Sequence, residues 1–176
     1  ASVKETNAVA LLLGLGISYR ETRDLGISHM LTLHIPELRQ YQPAEYDLSP
    51  LVEAAAILGI AFLFESSGHR HITETFLSLM ERSAILTLPA QPFALGAAIG
   101  LVNLGLGDDS SVLRENRERL CVIFSGNKSV DVSSEKTATF GNSDFFAVAP
   151  VAVLALTLGY LRTGHSRVKL ALSLPS

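Results

Sequence analysis

Gly68-His69-Arg70-His71 is the one stretch of the chain where side chains with ligand chemistry cluster. Two imidazoles beside a guanidinium supply hydrogen-bond donors and positive charge, which suits an acidic peptide or another anion. The plainer reading is that His69 and His71 cap helix ends or hydrogen-bond a neighbouring segment. A metal site built on His69 and His71 needs a third ligand that the sequence does not place nearby. His29 and His34 stand five positions apart, so on a helix they do not share a face. No metal ligand and no cofactor site is expected.

The carboxylates read in the same way. Asp108-Asp109, between Gly107 and Ser110, fits a helix N-cap with a favourable dipole better than a catalytic pair. Glu53 and Glu65 flank an apolar run, where solvation or one buried pairing is expected before acid/base work. Gly14-x-Gly16 lacks the third glycine of a dinucleotide loop and follows an apolar helix in place of a strand. There is no phosphate-binding glycine-rich loop and no G-x-S-x-G elbow, and Cys121 falls in the apolar end of a predicted helix, where burial wins over nucleophilic activation. No catalytic residue is named, and an enzyme is not expected.

These side chains hang on a recurring apolar motif. It reads Ala10-Leu11-Leu12-Leu13-Gly14-Leu15-Gly16-Ile17, then Ala55-Ala56-Ile57-Leu58-Gly59-Ile60-Ala61-Phe62, then Leu95 to Val102 and Val153 to Tyr160. Alignment on Gly14, Gly59, Gly100 and Gly159 gives spacings of 45, 41 and 59, and recurrence at that period is the mark of stacked helical repeats. Each repeat pairs a first helix that is apolar nearly all round with a second that is amphipathic. Residues Ile72, Phe76, Leu79 and Met80 make the stripe of one such second helix, predicted over 72–82. Ile27, Met30 and Leu31 make that of another, expected to stop near Ile35 because Pro36 follows.

A third second helix is predicted over 112–124, with Arg114, Glu115, Arg117, Glu118 and Arg119 as its solvated face. Gly68, Gly105, Gly107 and Gly164 sit between helices, where left-handed caps let the chain reverse. Residues 125–143 break the pattern: Val130-Asp131-Val132 and Thr137-Ala138-Thr139-Phe140 alternate like short strands. The expected fold is therefore an all-α α-solenoid of about four helix pairs, at about 7–40, 51–83, 92–124 and 144–174, with a small β-hairpin or loop insertion over 125–143. The whole of 1–176 reads as one repeat domain, and its ends, Ala1 and Leu174-Pro175-Ser176, lead us to expect a piece of a longer array.

Hydrophobic residues make up 48% and charged ones 18%, fewer charges than the usual quarter. A net charge of −3 with scattered Lys and Arg carries no basic stripe, so nucleic acid is not an expected partner. A single cysteine excludes an internal disulfide framework and fits a reducing compartment. A membrane protein with short helices is the rival reading: Phe145 to Leu161 holds no formal charge and Gly96-x-x-x-Gly100 matches a membrane packing motif. Pro150, Glu53 and the absence of Lys/Arg loop asymmetry weigh against it, and no membrane partner is expected.

The motifs resemble proteasome/cyclosome repeats. Leu12-Leu13-Gly14-Leu15 with His34-Ile35-Pro36, the Gly68-His69-Arg70-His71 turn, Leu101-Val102-Asn103-Leu104-Gly105 and Leu156-Thr157-Leu158-Gly159-Tyr160-Leu161 are similar to successive repeats of the largest scaffold subunits of the anaphase-promoting complex. The resemblance covers nearly the whole chain and departs from the family between Ser83 and Pro92 and around 108–119. It implies a toroid-type solenoid acting without catalysis in a multisubunit RING-type ubiquitin ligase that controls the cell cycle. Implied partners are other subunits of that complex, its coactivator and further repeats, in nucleus and cytoplasm, with His69, Arg70 and His71 as contact candidates. The alternative within the family is a proteasome regulatory-particle subunit, which is expected to lack the His-Ile-Pro and His-Arg-His elements.

Overall fold

A computed structural model describes residues 2–38, 49–83, 90–125 and 142–172. Among them lie eight α-helices: α1 (Val3–Ser18), α2 (Leu25–Thr32), α3 (Pro50–Leu63), α4 (Arg70–Ser83), α5 (Ala90–Val102), α6 (Ser111–Ser125), α7 (Asn142–Gly159) and α8 (Ser166–Leu172). The protein is all-helical over these residues. The proposed hairpin falls at 126–141, outside the described residues, while Ser125, Asn142 and Ser143 belong to the flanking helices.

The apolar helices α1, α3, α5 and α7 pack one on the next in chain order. Each amphipathic helix lies on the following apolar one: α2 on α3, α4 on α5, α6 on α7. This explains the two compositions. Helix α3 is enclosed between α1 and α5 and covered by α2, so Val52 to Ile57, Gly59 to Ala61 and Leu63 are buried. Helix α4 packs mainly on α5, with a smaller contact to α6, so it buries Phe76, Leu77, Leu79 and Met80 and exposes Arg70, His71, Glu74 and Ser78.

Small residues set the spacing of the apolar row. A Cβ added to Gly16 would lie 2.5 Å from the Gly59 Cα, and one added to Gly96 would lie 2.6 Å from the Val151 carbonyl oxygen. At Gly14 it would meet nothing within 4 Å. The contact glycine of α1 is therefore Gly16, two positions after the one the sequence motif aligns, because the helix turns Gly14 away from α3.

Local signals place the helix starts. Ser2 and Glu5 form a reciprocal capping box at α1, Asp24 accepts from the Ile27 N–H at α2, and Ser49 caps α3 ahead of Pro50. Two expectations fail here. Helix α2 ends at Thr32, three residues before Ile35, with a short 3-10 turn over Pro36–Leu38. Met30 stays half exposed while Leu31 is fully buried, since α2 is short and only a narrow stripe reaches α3. Pro150 lies inside α7 without ending it; packing on α5 and α6 offsets the lost backbone hydrogen bond. No helix among the described residues is long and apolar enough to cross a membrane.

Gly16→Ala should cost about 1–3 kcal/mol, because the new methyl overpacks a backbone contact. Gly14→Ala, in open space, should be neutral or stabilise by up to about 1 kcal/mol through helix propensity. Urea unfolding of the two variants checks the register, and equal shifts would contradict it.

Candidate functional site

The turns joining each helix pair form one edge of the molecule. Every turn holds two left-handed residues two positions apart: Glu21 and Arg23, Ser66 and Gly68, Gly105 and Gly107, Arg162 and Gly164. Four of these are not glycine, a placement that costs roughly 1–2 kcal/mol each. What holds the first two turns is a backbone ladder. Glu21 and Arg23 donate their N–H groups to the Phe62 and Leu63 carbonyls at the end of α3, each at 3.1 Å. Ser66 and Gly68 donate to Leu101 and Val102 at the end of α5, at 3.0 and 2.9 Å, and Gly105 donates to Leu158 in α7 at 3.1 Å. The turn of one unit thus caps the carbonyl end of the next apolar helix, satisfying groups the helix cannot satisfy itself.

The His-Arg-His tetrad is part of this edge, and its members do different things. His69 is half-buried; its Nδ1 accepts from the Ile72 N–H at 3.3 Å, capping α4, and its ring meets Phe64 edge-on at 4.9 Å. Arg70 binds Glu74 at 2.7 Å on its own helix and Glu115 of α6 at 2.8 Å, which raises its pKa. His71 points into solvent. The capping reading holds for His69, and the free face of the tetrad reduces to His71 and the outer edge of Arg70.

The same cap recurs where sequence reading did not look for it. His165 Nδ1 accepts from the Val168 N–H at 3.4 Å, and its ring sits 5.2 Å from Tyr160, edge-on. The signal was available as aromatic-x-x-x-x-His at Phe64/His69 and Tyr160/His165.

Asp108 is not the helix cap that its position suggests. Ser110 Oγ accepts from the Leu113 N–H at the start of α6, while Asp108 sits in a 3-10 turn (Gly107–Asp109) and joins three residues distant in sequence. The Tyr160 hydroxyl donates to its Oδ1 at 2.8 Å, Arg117 approaches at 2.9 Å and His165 Nε2 stands 3.3 Å from Oδ2. Burial pushes the Asp108 carboxyl up, but Tyr160, Arg117 and His165 together hold it below the usual aspartate value. Burial and the Asp108 carboxylate push the Tyr160 phenol up. Arg117, expected on a solvated face, has only 15% of its side chain exposed, because α6 turns it toward Asp108. Its Nε is buried without a partner among the described residues.

Two further polar contacts tie the units together. Glu65, 4% exposed, takes a two-pronged contact from Arg20 at 2.6 and 2.5 Å, and Glu53 is buried against the Gln91 amide. The expected buried pairing is therefore present at both acids. Asn103, fully buried, donates to Thr73 at 3.0 Å and to the Ile99 carbonyl at 2.8 Å and accepts from Ser110. Burial pushes the half-buried Cys121 thiol up, away from the reactive thiolate. No group of three or more His, Cys, Asp or Glu among the described residues is placed to hold a metal ion. This edge is suited to rigid positioning and to contacts with other macromolecules, and none of its groups is poised as nucleophile and base.

Residues 25–176 match the family model described as the APC1 fifth domain. The chain is 31% identical over 176 residues to anaphase-promoting complex subunit 1 of Schizosaccharomyces pombe, covering 99% of this chain and 11% of that protein. It is 31% identical over 185 residues to the Arabidopsis thaliana protein of the same name, covering 97% and 11%. Identity to the negative regulator of mitosis of Emericella nidulans is 31% over 180 residues, covering 96% and 8%. The chain thus spans about a tenth of the length of these relatives.

Asn103→Ala should cost about 1–3 kcal/mol, since it leaves Thr73 and Ser110 buried without their partner; thermal or urea unfolding measures it. Asp108 binds a proton less readily folded than unfolded, so its stabilisation is complete above the unfolded value and is lost as pH falls through the folded one. The Tm difference between wild type and Asp108→Asn should therefore be widest near neutral pH and close below about pH 3.9.

Proposed function

Because the chain belongs to the APC1 fifth domain family, we propose that it is a non-catalytic scaffold segment of the anaphase-promoting complex, a multisubunit RING-type ubiquitin ligase acting in mitosis. On this reading the helix pairs are proteasome/cyclosome repeats of an α-solenoid of toroid type, and 1–176 is an arc of it. The observation that carries the proposal is the backbone ladder: at three successive turns the N–H groups of one unit cap the next apolar helix. A scaffold needs that rigidity, because surfaces presented by units that do not shift relative to one another lose less entropy on binding. Ubiquitin transfer on this reading belongs to other subunits.

Partners on this reading are other subunits of the complex, its coactivator and further repeats of the same polypeptide, in nucleus and cytoplasm. Of the three contact candidates, His71 and the outer side of Arg70 are free to meet a partner, while His69 serves the α4 cap. The mitotic role in the name of the Emericella nidulans relative and the complex named in the Schizosaccharomyces pombe relative support this assignment.

The test is affinity capture from mitotic cell extract with mass spectrometry of the retained proteins. Anaphase-promoting complex subunits or coactivator should be recovered, and His71→Glu should reduce that recovery without lowering Tm, since its side chain supports no fold contact. Recovery of proteasome base subunits in their place would overturn the assignment and leave the fold standing.

A further inference from the structure

The junctions between units are not built alike. At the first, Glu21 and Arg23 donate to Phe62 and Leu63, and at the second Ser66 and Gly68 donate to Leu101 and Val102. At the third, among the described residues, Gly105 alone donates, to Leu158. Beside that bond stands the cluster of Asp108, Arg117, Tyr160 and His165, and its imidazole belongs to the side-chain type that changes charge between about pH 5 and 8. The His165 ring reaches three elements at once. Its Nδ1 accepts from the Val168 N–H in the first turn of α8 at 3.4 Å. Its Nε2 stands 3.3 Å from Asp108 Oδ2 in the 3-10 turn and 3.0 Å from Arg117 Nη1 on α6. Tyr160, at the end of α7, meets the ring edge-on. The remaining charges around it are Glu118, 3.4 Å from Arg117, Arg114, which donates to the Asp108 carbonyl, and Arg162 and Lys169, which line the cleft beside the ring.

A neutral imidazole has one donor nitrogen and one acceptor nitrogen, so it cannot serve all of these contacts. With Nδ1 accepting from Val168, the proton sits on Nε2 and donates to Asp108. The other tautomer accepts from Arg117 and leaves the Val168 N–H without its acceptor. When the ring takes a second proton from solvent, both nitrogens become donors. Nδ1 then faces the Val168 N–H donor to donor, while Nε2 keeps Asp108 and adds a charge to that bond. We propose that His165 is a proton-operated switch: neutral, it caps α8; protonated, it releases the cap and holds to the turn of the third unit through Asp108. The seat of the first turn of α8 is thus set by pH. Asp108 attracts the charged ring, and Arg117, whose own charge Asp108 and Glu118 already engage, repels it. Asp108 stays ionised over the range in which histidines titrate, because its carboxyl is held below the usual aspartate value. His69 makes the same cap to Ile72, with Phe64 in the place of Tyr160, but there both backbone bonds of the second junction are present. The device at His165 therefore combines the helix cap with the one junction that leans on side chains.

Nuclear magnetic resonance of the nitrogen-15-labelled 176-residue chain tests this without any variant. At about pH 8 the ring nitrogen shifts should place the His165 proton on Nε2, and on acidification to about pH 5 the Val168 amide and the ring should change together, with one midpoint. A proton on Nδ1 at the alkaline end, or a Val168 amide that ignores ring protonation, overturns the proposal. Two variants give a second measurement. His165→Asn supplies a cap that does not titrate, and His165→Ala supplies none. Amide exchange at Val168 is compared among the three proteins at the same pH, so that intrinsic exchange cancels. The wild type should match His165→Asn near pH 8 and His165→Ala near pH 5, its protection falling about threefold to tenfold relative to His165→Asn over that range. A wild type that follows the same variant at both ends overturns the switch. Either result leaves the scaffold reading untouched, because capture of ligase subunits does not depend on this cap.

Discussion

The turn N–H groups reach the carbonyl end of the next apolar helix only when the apolar helices lie close enough, and that approach is the constraint on which the rest of the structure depends. Gly16 against Gly59, and Gly96 against Val151, remove the side chains that would hold the backbones apart. With the helices in contact, one or two N–H groups of a turn meet the last carbonyls of the next apolar helix, which at most also accept a short turn bond from the residues that follow them. This hydrogen bonding offsets the strain of left-handed Glu21, Arg23 and Ser66. Helix spacing, turn conformation and unit-to-unit register are thus one arrangement, and a bulky residue at the contact disturbs all three.

Polar groups then reinforce the register where burial would penalise a slip. Glu65 is enclosed and needs Arg20 of the preceding turn. Asn103 links α4, the end of α5 and the start of α6 through Thr73, Ile99 and Ser110. Asp108 gathers Arg117, Tyr160 and His165 from three later elements. A buried acid or amide without its partner costs more than an exposed ion pair gains, so these contacts select one packing of the units over its neighbours. On the proposed scaffold reading, selection of one geometry would serve function, and it comes from the same residues that stabilise the fold.

The surface follows from the layering. Amphipathic α4 and α6 spend one face on the next apolar helix and give the other to solvent, where Arg70 meets Glu115 across the gap. Exposed large apolar side chains are spread along the row, at Leu11 and Ile17 of α1, Leu25 and Met30 of α2, Leu51 of α3, Phe93 of α5 and Leu161 after α7.

The sequence by itself determined what depends on neighbours a few positions away. The apolar and amphipathic character of the helices, the left-handed Gly68, Gly105, Gly107 and Gly164, and the likeness to a repeat family were all legible in it. Tertiary structure alone decided which glycine of α1 is the contact, because Gly14 and Gly16 are equivalent in composition and differ only in the face they present. It also decided that Arg117 turns inward, that Asp108 is a hub and not a cap, and that Arg20 partners Glu65 at a separation of 45 residues. Those outcomes depend on distances between helices. A local pattern of spacing and charge carries no information about them until the helices have packed.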